Sequence, residues 1–304
     1  MFKNKREIMP RVHLSAESLP LCDHIPTRKP ASAVLLVQPT YFDVVYEINP
    51  HMKGNIGNVD KALALEQWNC LYKIYQQLGY NIHVIEGVPN LPDMVFCANQ
   101  SFPFVDEKNQ KCVILSKMAS PFRSGEVEHI ARWYEQHNYH LIHQVDPPVE
   151  FEGMGDAIWH PHKNILYIGY GFRTSKNALI RAANCISCDV IGLELIKPHF
   201  YHLDTALSVL NEHTALFVKE AFSEEGKEIL SAMFSNLIDV PLEEAQMGFV
   251  TNGHCPDGRN FIVQKGNSIT KQKLEDIGIQ VWELDTSEFM KSGGSVFCMK
   301  MMLP

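Results

Sequence analysis

Ala157-Ile158-Trp159-His160, then Ile165-Leu166-Tyr167-Ile168, then residues 176–184, then Asp189-Val190-Ile191-Gly192-Leu193-Glu194-Leu195 decide the fold of this chain. The two short apolar runs are too brief for helices and read as strands. Residues 176–184 have helical periodicity. The closing run is rich in β-branched and aliphatic residues and reads as a third strand. One unit is therefore strand, strand, helix, strand.

The same order recurs on both sides. Upstream come strands at 94–99 and 113–115, a helix at 125–137 and a strand at 140–145. Downstream, strands at 205–210 and 215–218 precede a helix at 223–233 and a strand at 236–240. A last set has strands at 248–251 and 261–264, a helix at 268–277 and a strand at 279–284. The first unit is short of a strand: it has one at 33–37, a helix at 60–78 ending at Gly79, and one at 80–85. A terminal strand at 296–303 has no unit of its own and could complete the first, closing a ring without exposed sheet edges. A period near 40–50 residues signals a repeat architecture. The expected fold is an α/β propeller of five ββαβ units, because a doubly wound sheet would alternate single strands with helices. Residues 1–32, with scattered charge and no period, read as a peripheral, poorly structured extension; residues 33–304 read as one catalytic domain.

Composition excludes several classes. Apolar residues at 45% and charged residues at 20% describe an ordinary globular chain. A formal charge of −8 argues against nucleic acid and anionic membrane surfaces as partners. No apolar run is long enough to cross a bilayer. Eight cysteines spread over 304 residues, behind an N-terminus without an apolar leader, read as reduced thiols in a cytoplasmic protein. Cys185-Ile186-Ser187-Cys188 lacks a second pair and reads as two thiols at a helix end. His160-Pro161-His162 reads as a surface turn, so no metal and no cofactor is expected. A homo-oligomer stays open.

Chemistry enters with Gly293-Gly294-Ser295-Val296-Phe297-Cys298 near the C-terminus, Phe151-Glu152-Gly153-Met154-Gly155-Asp156, and Phe200-Tyr201-His202-Leu203-Asp204. A thiol, a histidine and a carboxylate are the parts of a covalent cysteine catalyst. Glycines before the thiol let backbone and substrate approach closely. On a strand, His202 and Asp204 would face one pocket.

With Ile48-Asn49-Pro50-His51-Met52, Leu91-Pro92-Asp93-Met94-Val95-Phe96-Cys97-Ala98-Asn99 and Gly169-Tyr170-Gly171-Phe172-Arg173-Thr174, these pieces run in order through residues 34–304. That stretch resembles the guanidine-modifying (pentein) superfamily, which includes arginine deiminases, dimethylargininases, amidinotransferases and arginine dihydrolases. The resemblance implies a five-bladed α/β propeller with a central site and a small guanidino substrate, arginine or a methylated arginine. It implies Cys298 as nucleophile, His202 as general acid and base, and Glu152 as the residue orienting the imidazole. It implies Asp93 and Asp204 as partners of the guanidinium, Phe96 and Asp156 as substrate neighbours, and Arg173 and Arg123 as partners of an amino-acid carboxylate. Asn99 departs from the aspartate of deiminases and matches the dihydrolase branch, as do Asn49 and the Met154 between two glycines. An asparagine carries both a donor and an acceptor and can hold a neutral ureido group for a second attack. The expected activity is arginine dihydrolase, giving ornithine, carbon dioxide and ammonia. The alternatives are dimethylargininase, amidinotransferase and a non-catalytic binder of the same fold; a metalloenzyme lacks familiar ligand spacing. Residues 40–58, with Gly54 and Gly57, are a candidate lid.

Overall fold

In the computed structural model, which describes residues 12–20, 25–143 and 147–304, the repeat becomes five small sheets among the described residues. After β1 (Val12–His13), the first unit holds β2 (Ala33–Val37), α1 (Lys61–Gln77) and β3 (Asn81–Ile85). The second holds β4 (Ser101–Val105), β5 (Lys111–Leu115), α2 (Glu126–Gln136) and β6 (His140–Ile142). The third opens with a single helical turn, α3 (Gly153–Asp156), and continues through β7 (Ala157–Trp159), β8 (Ile165–Tyr170), α4 (Asn177–Ile186) and β9 (Asp189–Glu194). The fourth repeats this with α5 (Leu203–Ala206), β10 (Leu207–Val209), β11 (Thr214–Phe217), α6 (Glu224–Met233) and β12 (Asn236–Asp239). The fifth has α7 (Leu242–Gly248), β13 (Asn260–Gln264), α8 (Ser268–Asp276) and β14 (Gln280–Leu284). The chain then passes through α9 (Ser287–Met290) into β15 (Lys300–Leu303).

Pairing is the same in each unit. The first strand runs antiparallel to the second, and the helix then carries the chain to a third strand parallel to the second. A parallel neighbour requires such a crossover. The fifth unit has only a two-stranded sheet; its first strand shrinks to one bridge between His254 and Ile262. The C-terminus supplies what the first unit lacks: β15 pairs antiparallel with β2, Lys300 opposite Leu36 and Leu303 opposite Ala33. The mixed α/β class and this terminal pairing agree with the sequence reading.

Four expected strands are wound differently. Residues 94–99 follow a 3-10 turn over Pro92–Val95, seeded by a proline whose fixed φ suits a first helical position. Residues 203–206 are the turn α5, so His202 and Asp204 are not strand neighbours. Residues 248–251 end α7 and begin a 3-10 turn over Val250–Asn252. Of 296–303, only Lys300–Leu303 is strand. All four stretches are buried almost throughout, so their apolar runs carry no period that separates a turn from a strand. Residues 144–146 of the expected strand 140–145 lie outside the described residues.

Of the expected extension, residues 1–11 and 21–24 lie outside the described residues. The rest is attached: β1 runs parallel to β9, His13 Nε2 is 2.9 Å from Asp189 Oδ1, and Arg28 lies over the Trp159 ring. The described cysteines are free, with Cys185 exposed and Cys188 buried. Among the described residues no helix is long and apolar enough to cross a membrane, and no group of three His, Cys, Asp or Glu is arranged to hold a metal ion.

One continuous core joins all five sheets, and β2 lies inside it with both faces covered. Leu36→Ala is expected to lower unfolding stability by about 2–5 kcal/mol through lost burial and a residual cavity. Urea denaturation followed by circular dichroism checks this; an unchanged midpoint would remove β2 from the centre of the core.

Candidate active site

A helical turn stands just ahead of the first strand of each sheet: Pro92–Val95, α3, α5, Val250–Asn252, and the turn at 296–299 before β15. These turns, or the residues beside them, carry Asp93, Glu152, His202, Asp204, Asn252 and Cys298, all buried. The cavity among them is small, lined by Cys298, His202, Asp93, Asn99, Phe96, Arg123 and Arg173, with Asn49, Tyr201 and Gly293-Gly294 at its edge. The two glycines are sterically required. A Cβ on Gly293, whose φ is +90°, would lie 2.6 Å from the Tyr201 hydroxyl, and one on Gly294 would lie 2.4 Å from the Phe96 ring.

His202 Nε2 donates to Glu152 Oε2 at 2.6 Å. Glu152 also accepts from the Ala119 amide at 2.9 Å and from Arg173 Nη1 at 3.4 Å. Burial alone would push the Glu152 carboxyl up, but His202, Arg173 and Arg123 outweigh it and hold it at about 2. Arg173 also stacks over Tyr201 and donates to the Ile48 carbonyl at 3.0 Å, which ties the 40–58 loop to the site. Asn49 does the same from the loop side, donating to the Ser292 carbonyl at 3.0 Å.

Cys298 Sγ is 3.1 Å from Asp204 Oδ2 and 3.2 Å from Asn252 Nδ2. Burial and the neighbouring Asp204 push the thiol well above its ordinary value. Asp204 is itself raised to about 7 by burial, against which Cys298, Lys300 and Asn252 pull down. Lys300, directly under the site, is lowered to about 7 by burial; its Nζ lies over the Phe297 ring and 3.4 Å from Met154 Sδ.

Two further residues are clamped. Asp93 accepts from Ser292 at 2.7 Å and from the Tyr46 hydroxyl at 2.8 Å. Arg123 makes a fork with Glu126, donates to the Asp93 and Phe96 carbonyls, and gives one Nη1 hydrogen to Asn99 Oδ1 at 2.8 Å. Two buried atoms of the site have no partner: Asp204 Oδ1, an acceptor, and Asn99 Nδ2, a donor.

Cys298, His202, Glu152, Asp93, Asn99, Asn49, Asp204, Arg173, Arg123 and Phe96 thus come together. Asp156 does not reach the cavity. Its oxygens are taken by the Thr174 hydroxyl at 2.7 Å and the Leu203 amide at 2.9 Å, so it braces α5 behind His202 instead of touching a ligand. Asn252, Ser292, Tyr201 and Tyr46 were not foreseen. The first of these was available from the repeat, because it occupies the fifth unit's turn as Glu152 and His202 flank those of the third and fourth.

A thiol, an imidazole paired with a buried carboxylate, and Asp93 facing one small cavity on this fold fit a cysteine enzyme of the pentein superfamily. The family model described as N,N dimethylarginine dimethylhydrolase, eukaryotic, matches residues 46–303, and the chain belongs to that family. It is 35% identical to the N(G),N(G)-dimethylarginine dimethylaminohydrolase of Mycobacterium tuberculosis, over 86% of this chain and 83% of that protein. It is 30% identical to the bifunctional arginine dihydrolase/ornithine cyclodeaminase AgrE of Nostoc, over 87% of this chain but 37% of that longer one. The product-bound N-terminal domain of ArgZ, a cyanobacterial arginine dihydrolase, superposes with a TM-score of 0.83 at 28% identity, covering 91% of this chain and 98% of that domain. The protein is therefore a hydrolase acting on C–N bonds of linear amidines, of the dimethylargininase or arginine dihydrolase type.

Because Asp204 takes up a proton as pH falls through about 7, it loses the charge that would pair with a guanidinium. Binding of a simple alkylguanidinium to Cys298→Ser protein should therefore weaken as pH drops below 7, approaching tenfold per unit for one coupled proton. Calorimetric titration between pH 5.5 and 8 checks this; flat affinity would mean that Asp204 is not the cation's partner.

Proposed function

We propose that this protein hydrolyses the guanidino group of L-arginine twice, through adducts on Cys298, to ornithine, carbon dioxide and two ammonia. The guanidinium binds with an N–H on the unpartnered Asp204 Oδ1 and others toward Asp93, while Arg173 and the second Nη1 hydrogen of Arg123 take the α-carboxylate. Arrival of the cation offsets the Asp204 charge that keeps Cys298 protonated, so the thiol ionises when substrate is present. Its proton passes by way of His202 to the departing nitrogen, the C–N bond breaks, and a C–S bond to the guanidino carbon remains. His202 then takes a proton from water, whose oxygen joins that carbon as Sγ leaves. Glu152 holds the imidazole in place and stabilises its charged form. A second attack by Sγ on the ureido carbon expels the second ammonia, a second water displaces Sγ from the resulting thiocarbamate, and the carbamate so released loses carbon dioxide.

Asn99 carries the choice of two steps over one. Its Oδ1 accepts from Arg123, a group that can only donate, so the amide cannot flip without placing N–H against N–H. The NH2 is thereby turned toward Gly155, beside His202, with no protein acceptor. A guanidinium offers such a donor nothing, whereas the oxygen delivered in the first hydrolysis does. An unpaired buried donor costs about 1–3 kcal/mol, which binding of the ureido oxygen relieves. The intermediate citrulline is then retained for the second attack.

In the same reading, residues 33–304 act as one catalytic domain whose five sheets are the blades of a propeller around the site, and the protein works on a small molecule in the cytoplasm. A second reading, dimethylargininase releasing citrulline and a methylamine, is favoured by the family match and by the M. tuberculosis relative.

Purified protein given L-arginine is expected to release ornithine with two equivalents of ammonia, and Cys298→Ala to release neither. Asn99→Asp should shift the product to free citrulline. Citrulline as the stable product from L-arginine would overturn the two-step reading, and turnover of asymmetric dimethylarginine alone, to citrulline and a methylamine, would establish the second reading instead.

A further inference from the structure

Sγ of Cys298 has two side-chain neighbours that act in opposite senses. Asp204 Oδ2, at 3.1 Å, accepts when the carboxyl is ionised, and so favours the protonated thiol. Asn252 Nδ2, at 3.2 Å, can only donate, and so favours the thiolate. The orientation of this amide is not free. Oδ1 of Asn252 accepts from two backbone amides of the nucleophile turn, Ser295 at 2.9 Å and Cys298 at 3.4 Å. A flipped amide would set its NH2 against both of those N–H groups. The NH2 must therefore face the other way, where one hydrogen meets the Asp204 carbonyl at 3.0 Å and the other meets Sγ. The main chain of Asn252 adds a third tie, accepting from the Phe297 amide at 2.8 Å. The residue is fully buried, so water does not compete for any of these contacts.

We propose that Asn252 is a catalytic residue whose Nδ2–H stabilises the Cys298 thiolate, while its Oδ1 holds the turn that aims Sγ at the substrate carbon. In the empty site the two neighbours oppose each other and burial favours the thiol. When a guanidinium occupies Asp204, the accepting neighbour is taken and the donating one is left. Asn252 thus supplies the hydrogen bond that the departing proton would otherwise leave missing, and it does so again each time Sγ is expelled from an adduct. The inference rests on Cys298 being the nucleophile.

The test is the pH dependence of Cys298 alkylation by iodoacetamide in the full-length protein, followed on the Cys298 peptide by mass spectrometry. Reading that peptide keeps the exposed Cys70 and Cys185 out of the measurement. Asn252→Asp keeps an oxygen for the Ser295 and Cys298 amides but exchanges the donor for a carboxylate, so Asn252→Ala, which removes the donor without adding a charge, is measured beside it. The other ionisable groups near Sγ, namely Asp204 on α5, Tyr201 and His202 ahead of it, and Lys300 on β15, remain in place. The alkylation midpoint should rise by about one pH unit or more, equivalent to about a tenfold loss of thiolate at a given pH. kcat for arginine should fall with it, and KM should change much less. A purely structural role would lower activity without moving the midpoint, and an unmoved midpoint in folded Asn252→Asp overturns the proposal. Because a carboxylate at this position would raise the thiol by its charge alone, the rise must also appear in Asn252→Ala, and an unmoved midpoint there overturns the proposal. Full turnover by Cys298→Ala would sink the nucleophile assignment instead, whereas an inert Cys298→Ala with unmoved midpoints in the Asn252 variants would sink this inference alone.

Discussion

The 2.6 Å hydrogen bond from His202 to Glu152 is the contact on which the rest of the site depends. Both residues are buried, and a buried charge stripped of its partner costs about 3–5 kcal/mol. The carboxylate is therefore surrounded. Oε1 takes the Ala119 amide, and Oε2 is shared between His202 and Arg173. Arg173 in turn reaches the Ile48 carbonyl. The imidazole and the 40–58 loop consequently hang on the same oxygen, so anything that competes for Arg173 also bears on the loop and on the base. In the proposed reaction an incoming α-carboxylate would do so, which would couple recognition of the amino-acid end of the substrate to the chemistry at its other end.

Much of this was legible in the amino-acid order, for definable reasons. Helices with a polar face and a glycine stop, such as α1 ahead of Gly79, have boundaries that local physics sets. The pairing of β15 with β2 followed from a count of strands: one unit was short and one strand was spare. The turns at Pro92–Val95, Leu203–Ala206 and Val250–Asn252 were not legible, because a helical turn buried on all sides has neither period two nor a solvent face to show its winding. Those turns are where the chemistry sits. His202 and Asp204 share the site across a turn, and the strand argument that joined them had the right destination by the wrong geometry. Asp156 misled for a related reason: a carboxylate beside Glu152 reads as a ligand group until the Thr174 hydroxyl and the Leu203 amide are seen to consume it. Only contacts across units disclose such a brace.

Native interiors leave few buried polar atoms unpaired. Here Asp204 Oδ1 and Asn99 Nδ2 are both buried and unpaired, the first an acceptor when ionised and the second a donor. A ligand that changes character during its reaction can satisfy each in turn: a planar cation first offers hydrogens to the carboxylate, and its hydrolysed form then offers an oxygen to the amide. The same burial that leaves these atoms wanting also pushes the Cys298 thiol well above its ordinary value. A nucleophile that ionises only beside a cation is withheld from other electrophiles and from oxidants, which react with thiolates far faster than with thiols. On this reading the desolvation that makes the site costly to build is also what confines its reactivity to guanidino compounds.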